Sequence, residues 1–335
     1  MEETNQHDGK HKLRFLVRLL FFLFALLVLL FLINFFYYNL VIEKTVTYRK
    51  EVDLAHYLER NTDRSITYAF FGDSHFRDDI NPGFINSSYN FATTAESFIE
   101  TYYKLRRLVE KERISLNTLV IQLDLHSFSG AKSDDSHLLT ELWLFKEYIP
   151  YTTIAHLRNE SVIAVFLKSW FPFIGNGKEF FLPKPLTPLY LGWTNETGDF
   201  SQQDKEEVAE IKYQKFFGGK EHIDRNSLVY FIKLLEYSAE HNLSLIFVKT
   251  PITQEYHNVL VAHNISGDPY YDQFYTKIFT LINATIDTYT VLDYYDDYSG
   301  QPHLYRDSNH FNFRGAEIFS KRLNKDLSSH SLADT

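Results

Sequence analysis

The sequence predicts an α/β fold, a three-layer α/β/α sandwich with a mostly parallel sheet, preceded by one N-terminal transmembrane helix. Short β-type runs alternate with amphipathic helical segments, which is typical of parallel strands covered by helices on both faces. An unbroken apolar run near the N-terminus is long enough to cross a bilayer. The total of 335 residues leaves enough chain after that run for one large domain.

The apolar run is predicted to anchor the protein in a membrane. Residues 19–33 are apolar without a break, and the aromatic pair Tyr37-Tyr38 closes the segment 19–38. As a helix, this segment spans about 30 Å, the thickness of a bilayer core, with residues 36–38 forming an aromatic belt at the far interface. A cleaved signal peptide is the alternative, but no small residues follow the run, so an uncleaved anchor is favoured.

The distribution of basic residues predicts the orientation of the anchor. Four precede the span and three follow it, and the positive-inside rule places the more basic flank in the cytoplasm. We therefore expect a single-pass cell-membrane protein with a cytoplasmic N-terminus. Its parts are predicted as a cytoplasmic tail over 1–18, the transmembrane helix over 19–38, a stalk over 39–64 and an extracytoplasmic domain over 65–330.

Composition excludes several functional classes. The net charge of -9 argues against broad nucleic-acid binding, which needs a basic surface. The chain has no cysteine, which excludes disulfides, cysteine-ligated zinc, iron–sulfur clusters and thiol catalysis. Aromatic residues make up 17%, which fits a membrane, sugar or lipid contact, although an aromatic core is favoured. No cofactor and no metal are expected.

Hydrophobic periodicity assigns the elements of the domain in order. Capping-box spacing of Thr93 and Glu96, and the pair Asp268-Pro269, indicate two helix starts. Strands are predicted over 66–71, 118–123, 243–248 and 288–292, and helices over 93–111, 138–148, 151–168, 226–241 and 312–327, with one more that starts at 268 and includes Ile282.

One segment interrupts the alternation. Residues 169–200 are rich in aromatic residues and proline, and we assign an insertion over 169–220. A substrate lid, a membrane-facing lip, a partner surface and a loop packed on its own core all remain open.

Two polar motifs follow the first and last predicted strands. Gly72-Asp73-Ser74 follows the first, and Asp307 and His310 follow the last. Because the carboxyl ends of parallel strands share one edge of the sheet, the serine and the Asp/His pair should lie close together. A serine, a histidine that takes its proton and an aspartate that orients the histidine form a hydrolase triad.

These motifs resemble those of the SGNH/GDSL hydrolase superfamily, whose fold is flavodoxin-like. Gly72-Asp73-Ser74 is similar to its first block, and Asp307 with His310 to its last, and the resemblance extends over about 66–327. The tail from His310 to Gly315 resembles that of membrane-anchored members, such as DltD of teichoic-acid D-alanylation and the anchored partners of membrane-bound O-acyltransferases.

The resemblance implies a function. Ser74 would be the nucleophile, His310 the general base and then acid, and Asp307 the residue that orients His310. The activity would be an extracytoplasmic acyltransferase or esterase acting on acyl esters of a cell-surface glycopolymer, beside a membrane-bound O-acyltransferase. The alternative is a non-catalytic partner that binds polymer or supports a membrane acyltransferase complex.

The sequence departs from the superfamily pattern between its two ends. The usual second-block glycine and the third block Gly-x-Asn-Asp have no counterpart. The Ser74 amide remains as an oxyanion donor. Further candidates for the oxyanion hole or the pocket are Asp73, His75, Asn90, Ala92, Asp124 and His126.

Two metal-dependent alternatives are disfavoured. Asp73 and His75 with Asp78 and Asp79 could begin a metallophosphoesterase site, but the further blocks that such sites need are absent. The acidic loop with Asp293, Asp296 and Asp297 could bind calcium, although a solvated loop is favoured.

Overall fold

The computed structural model describes residues 2–61, 63–133, 142–176, 189–219, 223–263 and 270–331. The helices are α1 Glu2–Leu40, α2 Val46–Arg60, α3 Ser74–Asp79, α4 Phe98–Arg106, α5 Gly130–Ser133, α6 Leu142–Phe145, α7 Tyr151–Arg158, α8 Val162–Trp170, α9 Phe173–Asn176, α10 Lys205–Phe216, α11 Arg225–Glu240, α12 Gln254–Ala262, α13 Tyr270–Thr285 and α14 Phe313–Ser331. The strands are β1 Ser65–Phe71, β2 Ser88–Asn90, β3 Ser115–Gln122, β4 Leu189–Tyr190, β5 Trp193–Thr194, β6 Ser244–Lys249 and β7 Thr290–Asp293.

Five strands form one parallel sheet in the order β2-β1-β3-β6-β7. This order confirms the predicted fold class. The chain leaves β1 in one direction to reach β2 and crosses to the other side to reach β3. Such a reversal opens a crevice at the carboxyl ends of β1 and β3, where open α/β sheets bind ligands. Strands β4 and β5 form a separate antiparallel pair.

Alternating side chains of the strands supply two hydrophobic cores. Phe71, Ile121 and Phe247 point to one face, where helices α4, α11 and α13 cover them. Phe70 and Val120 point to the other face and pack against helices α3 and α14. Since successive strand residues point to opposite faces, both layers of helices are held by the same strands.

The predicted strands are present, but the structure has more elements than the sequence indicated. All four predicted strands have shifted bounds, and β2, β4 and β5 were missed because each has only two or three residues. Helix 93–111 begins later, at Phe98, because Ser97 and Glu100 form its capping box. Helix 151–168 breaks into α7 and α8 at Asn159, which adopts a left-handed φ of 51°. The Asp268-Pro269 pair and part of helix 138–148 lie outside the described residues.

Helix α1 carries the apolar run. The most apolar stretch within 13–44 has a mean hydropathy of 3.1 and is not buried in the protein, and among the described residues α1 is the one helix long and apolar enough to cross a membrane. Its end packs on the domain. Tyr37 is buried beside Trp143 and Leu144, and Tyr38 contacts the rings of Tyr48 and Trp143. The expected aromatic belt is therefore wrong for Tyr37, which faces protein.

Glycine is required where α14 begins. A Cβ at Gly315 would lie 2.3 Å from the Leu304 carbonyl oxygen and 2.5 Å from Cδ1 of Phe311. The absence of a side chain lets α14 approach the loop that carries His310. Asn312 supports the same junction, because its side-chain amide donates to the carbonyls of Gly198 and His303.

We predict that Gly315→Ala destabilises the protein by roughly 1–3 kcal/mol, because backbone and a packed ring must shift to admit the methyl group. The matched control is Gly300→Ala, since nothing lies within 4 Å of a Cβ at that position. Thermal unfolding of the full chain in detergent measures both. Equal unfolding temperatures for the two variants would contradict this account.

Candidate active site

Ser74 lies at the carboxyl edge of the sheet, as the first residue of α3. The turn from β1 passes so close to β3 that a Cβ at Gly72 would lie 2.5 Å from Oε1 of Gln122. Asp73 caps the helix by accepting a hydrogen bond from the His75 amide at 2.9 Å. These two residues together fix the direction in which the Ser74 side chain leaves the sheet.

The loop before α14 brings His310 and Asp307 to Ser74. His310 Nε2 lies 2.8 Å from Ser74 Oγ, and His310 Nδ1 lies 2.9 Å from Asp307 Oδ1. The Asp307 carboxylate also accepts the backbone amides of Asn309 and His310. With the proton on Nδ1 facing Asp307, Nε2 is free to accept the hydroxyl proton of Ser74. The structure thus joins the three predicted residues in one hydrogen-bonded chain.

Burial and the neighbouring charges set the protonation states of His310 and Asp307. Burial lowers the pKa of His310 to about 3, and the nearby Lys212 ammonium adds to this effect while Asp307 opposes it. For Asp307, burial alone would raise the pKa, but His310, Lys212 and Arg306 hold it well below its usual range. At neutral pH the pair is therefore a neutral imidazole beside a carboxylate, the state that a general base requires.

Lys212 is a neighbour of this pair that the sequence did not indicate. Its Nζ lies 3.0 Å from Asp307 Oδ2 and 3.3 Å from His310 Nδ1. It comes from α10, inside the segment 169–220 that was assigned as an insertion. No motif marks it, because only the packing of α10 brings the ammonium group to the loop before α14.

A second set of contacts joins α3 to the same loop through Asp78. Its carboxylate accepts a hydrogen bond at 2.8 Å from Nη2 of Arg77 and one at 3.1 Å from Nη2 of Arg306. Thr194 Oγ1 donates to it at 2.6 Å. Burial alone would raise the pKa of Asp78, but the two guanidinium groups outweigh it and lower that pKa to about 2.

Asp79 contacts the same loop as Asp78, but its pKa is shifted in the opposite direction. Its Oδ1 accepts the backbone amide of Phe311 at 2.8 Å, directly after His310. Burial and the adjacent Asp78 raise the pKa of Asp79 well above its usual range. Asp78 and Asp79 therefore bind the loop that carries His310. Among the described residues, neither belongs to a group with metal-ligand spacing that includes Asp73 and His75.

Beneath Ser74, a buried polar network surrounds Asp73. Its Oδ2 contacts His126 Nε2 at 2.7 Å and the Lys132 ammonium. Burial would raise the pKa of Asp73, but Lys132 and His126 outweigh it and hold that pKa well below its usual range. Asp73 and His126 thus support the start of the helix, and each also lines a small cavity.

His75 and Asp124 extend the network toward β6. His75 Nδ1 lies 3.1 Å from Asp124 Oδ2 and 2.9 Å from Thr250 Oγ1. The His75 ring also packs edge-on against His310, with their centroids 4.6 Å apart. Gln122 Nε2 donates to Asp124 at 2.7 Å. The ends of three strands, β1, β3 and β6, therefore contribute polar residues that pack behind the Ser74–His310 pair.

Two predicted oxyanion candidates are already engaged. Asn90 Nδ2 donates to the carbonyls of Phe76 and Ile80, at 2.7 and 2.9 Å, and thereby holds α3. The Ala92 amide donates to Asn90 Oδ1 at 3.1 Å. Neither has a donor left for a substrate oxygen. The Ser74 amide stands in the first turn of α3, where helical amides have no intrahelical acceptor.

The described residues hold one group with metal-ligand spacing. Ligand atoms of Asp73, His75 and His126 lie within 4.8 Å of one another. The ammonium group of Lys132 already contacts the Asp73 carboxylate and supplies positive charge there. In the acidic loop, Asp293 pairs with Lys249 at 2.8 Å. These contacts favour charge compensation by protein groups at both places.

Comparisons with known proteins give a weak structural similarity. No protein-family model and no curated protein matches the chain. Its structure is similar to that of a protein from Bacteroides fragilis NCTC 9343 to which acylhydrolase activity is ascribed. The identity is 11% and the TM-score 0.36, over 83% of this chain and 97% of that one. Function must therefore be argued from the site itself.

We predict that two adjacent substitutions in α3 change the stability of the protein in opposite directions. Asp78→Asn leaves two guanidinium groups without their buried counter-charge, which should cost about 3 kcal/mol or more. Asp79→Asn keeps the acceptor for the Phe311 amide and removes a carboxyl that is costly to ionise. Thermal unfolding of the full chain in detergent compares the two with the wild type.

The pH dependence of Asp79→Asn provides a further check. A carboxyl whose pKa is raised on folding contributes stability below its unfolded value of about 3.9 and loses it as pH rises. The stability of the variant relative to the wild type should therefore increase as pH rises above about 4. A loss for Asp79→Asn as large as that for Asp78→Asn would show that this assignment of charge is wrong.

Proposed function

We propose that this chain is a membrane-anchored serine esterase or acyltransferase with Ser74 as its nucleophile. The observation that carries the proposal is the hydrogen-bonded chain from Ser74 through His310 to Asp307 at the crevice of a parallel sheet. Nucleophile, base and orienting carboxylate stand in the order and at the distances that acyl transfer needs. The apolar helix α1 supports a membrane location for this chemistry.

In the proposed reaction, Ser74 Oγ attacks the carbonyl carbon of an acyl ester while His310 Nε2 takes the hydroxyl proton. Asp307 stabilises the resulting imidazolium and keeps Nδ1 protonated. The Ser74 amide donates to the oxyanion of the tetrahedral intermediate. His310 then returns the proton to the departing alkoxide, and the acyl group remains on Ser74 as an ester.

The second half of the reaction decides between hydrolysis and transfer. Water or a hydroxyl group of an acceptor attacks the acyl-serine, and His310 accepts its proton as before. With the Ser74 amide as the oxyanion donor, we expect hydrolysis to be slow, since each missing donor costs about 10²–10³ in rate.

The resemblance of the end motifs leads us to propose a cell-surface glycopolymer as the substrate and a membrane-bound O-acyltransferase as the partner.

We predict that a fluorophosphonate probe labels the full chain at Ser74. Ser74→Ala should abolish labelling, and His310→Ala should slow it by at least about 10², because the serine then lacks its base. Ser201→Ala is the matched control, since the hydroxyl group of that serine donates to Asp199 within its own turn. Mass spectrometry of the labelled peptide identifies the modified residue.

Absence of labelling in a folded wild type would contradict the proposal. It would favour the alternative of a non-catalytic, polymer-binding partner. Labelling that persists in Ser74→Ala would show that another serine is the nucleophile. Thermal unfolding of each variant separates a loss of reactivity from a loss of structure.

The lowered pKa of His310 predicts the pH dependence of labelling. Labelling should continue on the acid side of the ordinary histidine pKa of about 6.5, because the imidazole stays neutral there. Lys212→Met removes a positive charge next to Nδ1, so the pKa of His310 should rise and the acid limb should shift to higher pH.

The control for this shift is Lys205→Met, on the same helix, whose ammonium pairs with Glu255 away from the site. The rate of labelling against pH measures all three proteins. An acid limb that Lys212→Met leaves in place, or moves to lower pH, would contradict the role given to Lys212.

A further inference from the structure

Helix α8 exposes an apolar surface that no described residue covers. Ile163 is 73% exposed and Trp170 is 51% exposed, although both are large and apolar. The opposite side of the helix is buried through Val165 and Ser169. We call the exposed set the α8 patch, and its residues are Val162, Ile163, Phe166, Leu167, Trp170 and, from α9, Ile174.

The patch is continuous along one helical face. Ile163, Phe166, Leu167 and Trp170 follow the spacing i, i+3, i+4, i+7, which places them in one stripe. Single exposed apolar residues are normal on protein surfaces, but a contiguous stripe of this kind marks an interaction site.

The position of the patch beside α1 indicates what covers it. Phe171, which follows α8, packs edge-on against Phe31 of α1 with ring centroids 5.8 Å apart. Phe31 lies seven residues before Tyr38, the residue that joins α1 to the domain, which corresponds to about 10 Å along a helix. The end of α8 therefore reaches the depth of the apolar part of α1.

We infer that α8 lies in the membrane interface, with the α8 patch inserted into the boundary between headgroups and acyl chains. Amphipathic interfacial helices insert their apolar face by about 5–10 Å, which matches the depth given by Phe31. The inference rests on the membrane anchor proposed above and adds a second contact with lipid. The domain would then be held at two points, by α1 and by α8, with its orientation to the membrane fixed.

Charged residues near the patch fit this arrangement. Lys146 Nζ lies 4.1 Å from the centroid of the Trp170 ring. In the proposed arrangement, this ammonium group lies at the level of the lipid headgroups, next to the aromatic ring. Lys168 pairs with Glu160 at 2.7 Å beside the patch. Segment 162–174 contains no acidic residue, so no carboxylate has to approach the acyl chains.

Spin labels test the inference directly, because the chain has no cysteine and each introduced one is unique. The full chain is reconstituted in phosphatidylcholine vesicles with labels at Ile163→Cys, Leu29→Cys and Lys325→Cys. Collision with oxygen reports lipid, and collision with a water-soluble nickel chelate reports solvent. We expect Ile163 and Leu29 to favour oxygen and the surface control Lys325 to favour nickel.

The three labels separate failure of the inference from failure of the anchor. Leu29 in lipid with Ile163 in water overturns the interfacial helix and leaves the anchor intact. Both labels in water overturn the anchor and the inference together. An Ile163 label shielded from both reagents means that protein covers the patch, which also overturns the inference.

Tryptophan fluorescence gives a second measurement without a bulky label. The chain has three tryptophans, and Trp143 and Trp193 are buried. Lipids brominated on their acyl chains should quench the wild type more strongly than Trp170→Phe. Equal quenching of the two proteins would contradict insertion of the patch.

Discussion

The contact between Ser74 and His310 closes a loop of 236 residues, and the rest of the site depends on it. A 2.8 Å hydrogen bond cannot by itself hold two segments so far apart in sequence, because closing the loop costs entropy that one such bond does not recover. Asp78 and Asp79 supply the additional contacts, to Arg306 and to the Phe311 amide, on either side of Asp307 and His310. The nucleophile and its base are thus positioned by contacts between the residues after Ser74 and the residues on both sides of Asp307 and His310.

Most of the sheet could be predicted from sequence, because buried strands and amphipathic helices have distinct periods. Ser74, His310 and Asp307 could be singled out because they belong to two polar motifs that follow the first and last predicted strands. Lys212, Arg306 and Lys132 could not, since nothing local distinguishes them from surface residues. Asn90 was named as an oxyanion candidate from comparison with the superfamily pattern, whereas its amide donates to carbonyls of α3 and of the residue after it. Sequence thus indicates which residues lie at the sheet edge, but not which partners they find there.

The buried charges around the site form two groups with different consequences. Asp78 and Asp307 each contact cationic groups from distant elements, so their charge connects parts of the fold. Asp73, with His126 and Lys132, lies behind Ser74 and supports the start of α3. Removing one member of such a pair leaves the other charge buried, which is why these contacts specify geometry more than they add stability.

Helix α2 connects the membrane anchor to the nucleophile. The predicted stalk contains this helix, and Lys50 on it is fully buried and donates to the carbonyls of Asn90 and Ala92. Burial lowers the pKa of Lys50 well below its usual range, so it can lie there without a full counter-charge. Asn90 in turn holds the carbonyls of α3. The path from α2 through Asn90 to α3 is continuous, so the helix that follows the anchor is part of the framework that positions Ser74. A flexible tether would leave the orientation of the site to chance, whereas this connection links it to the direction of α1.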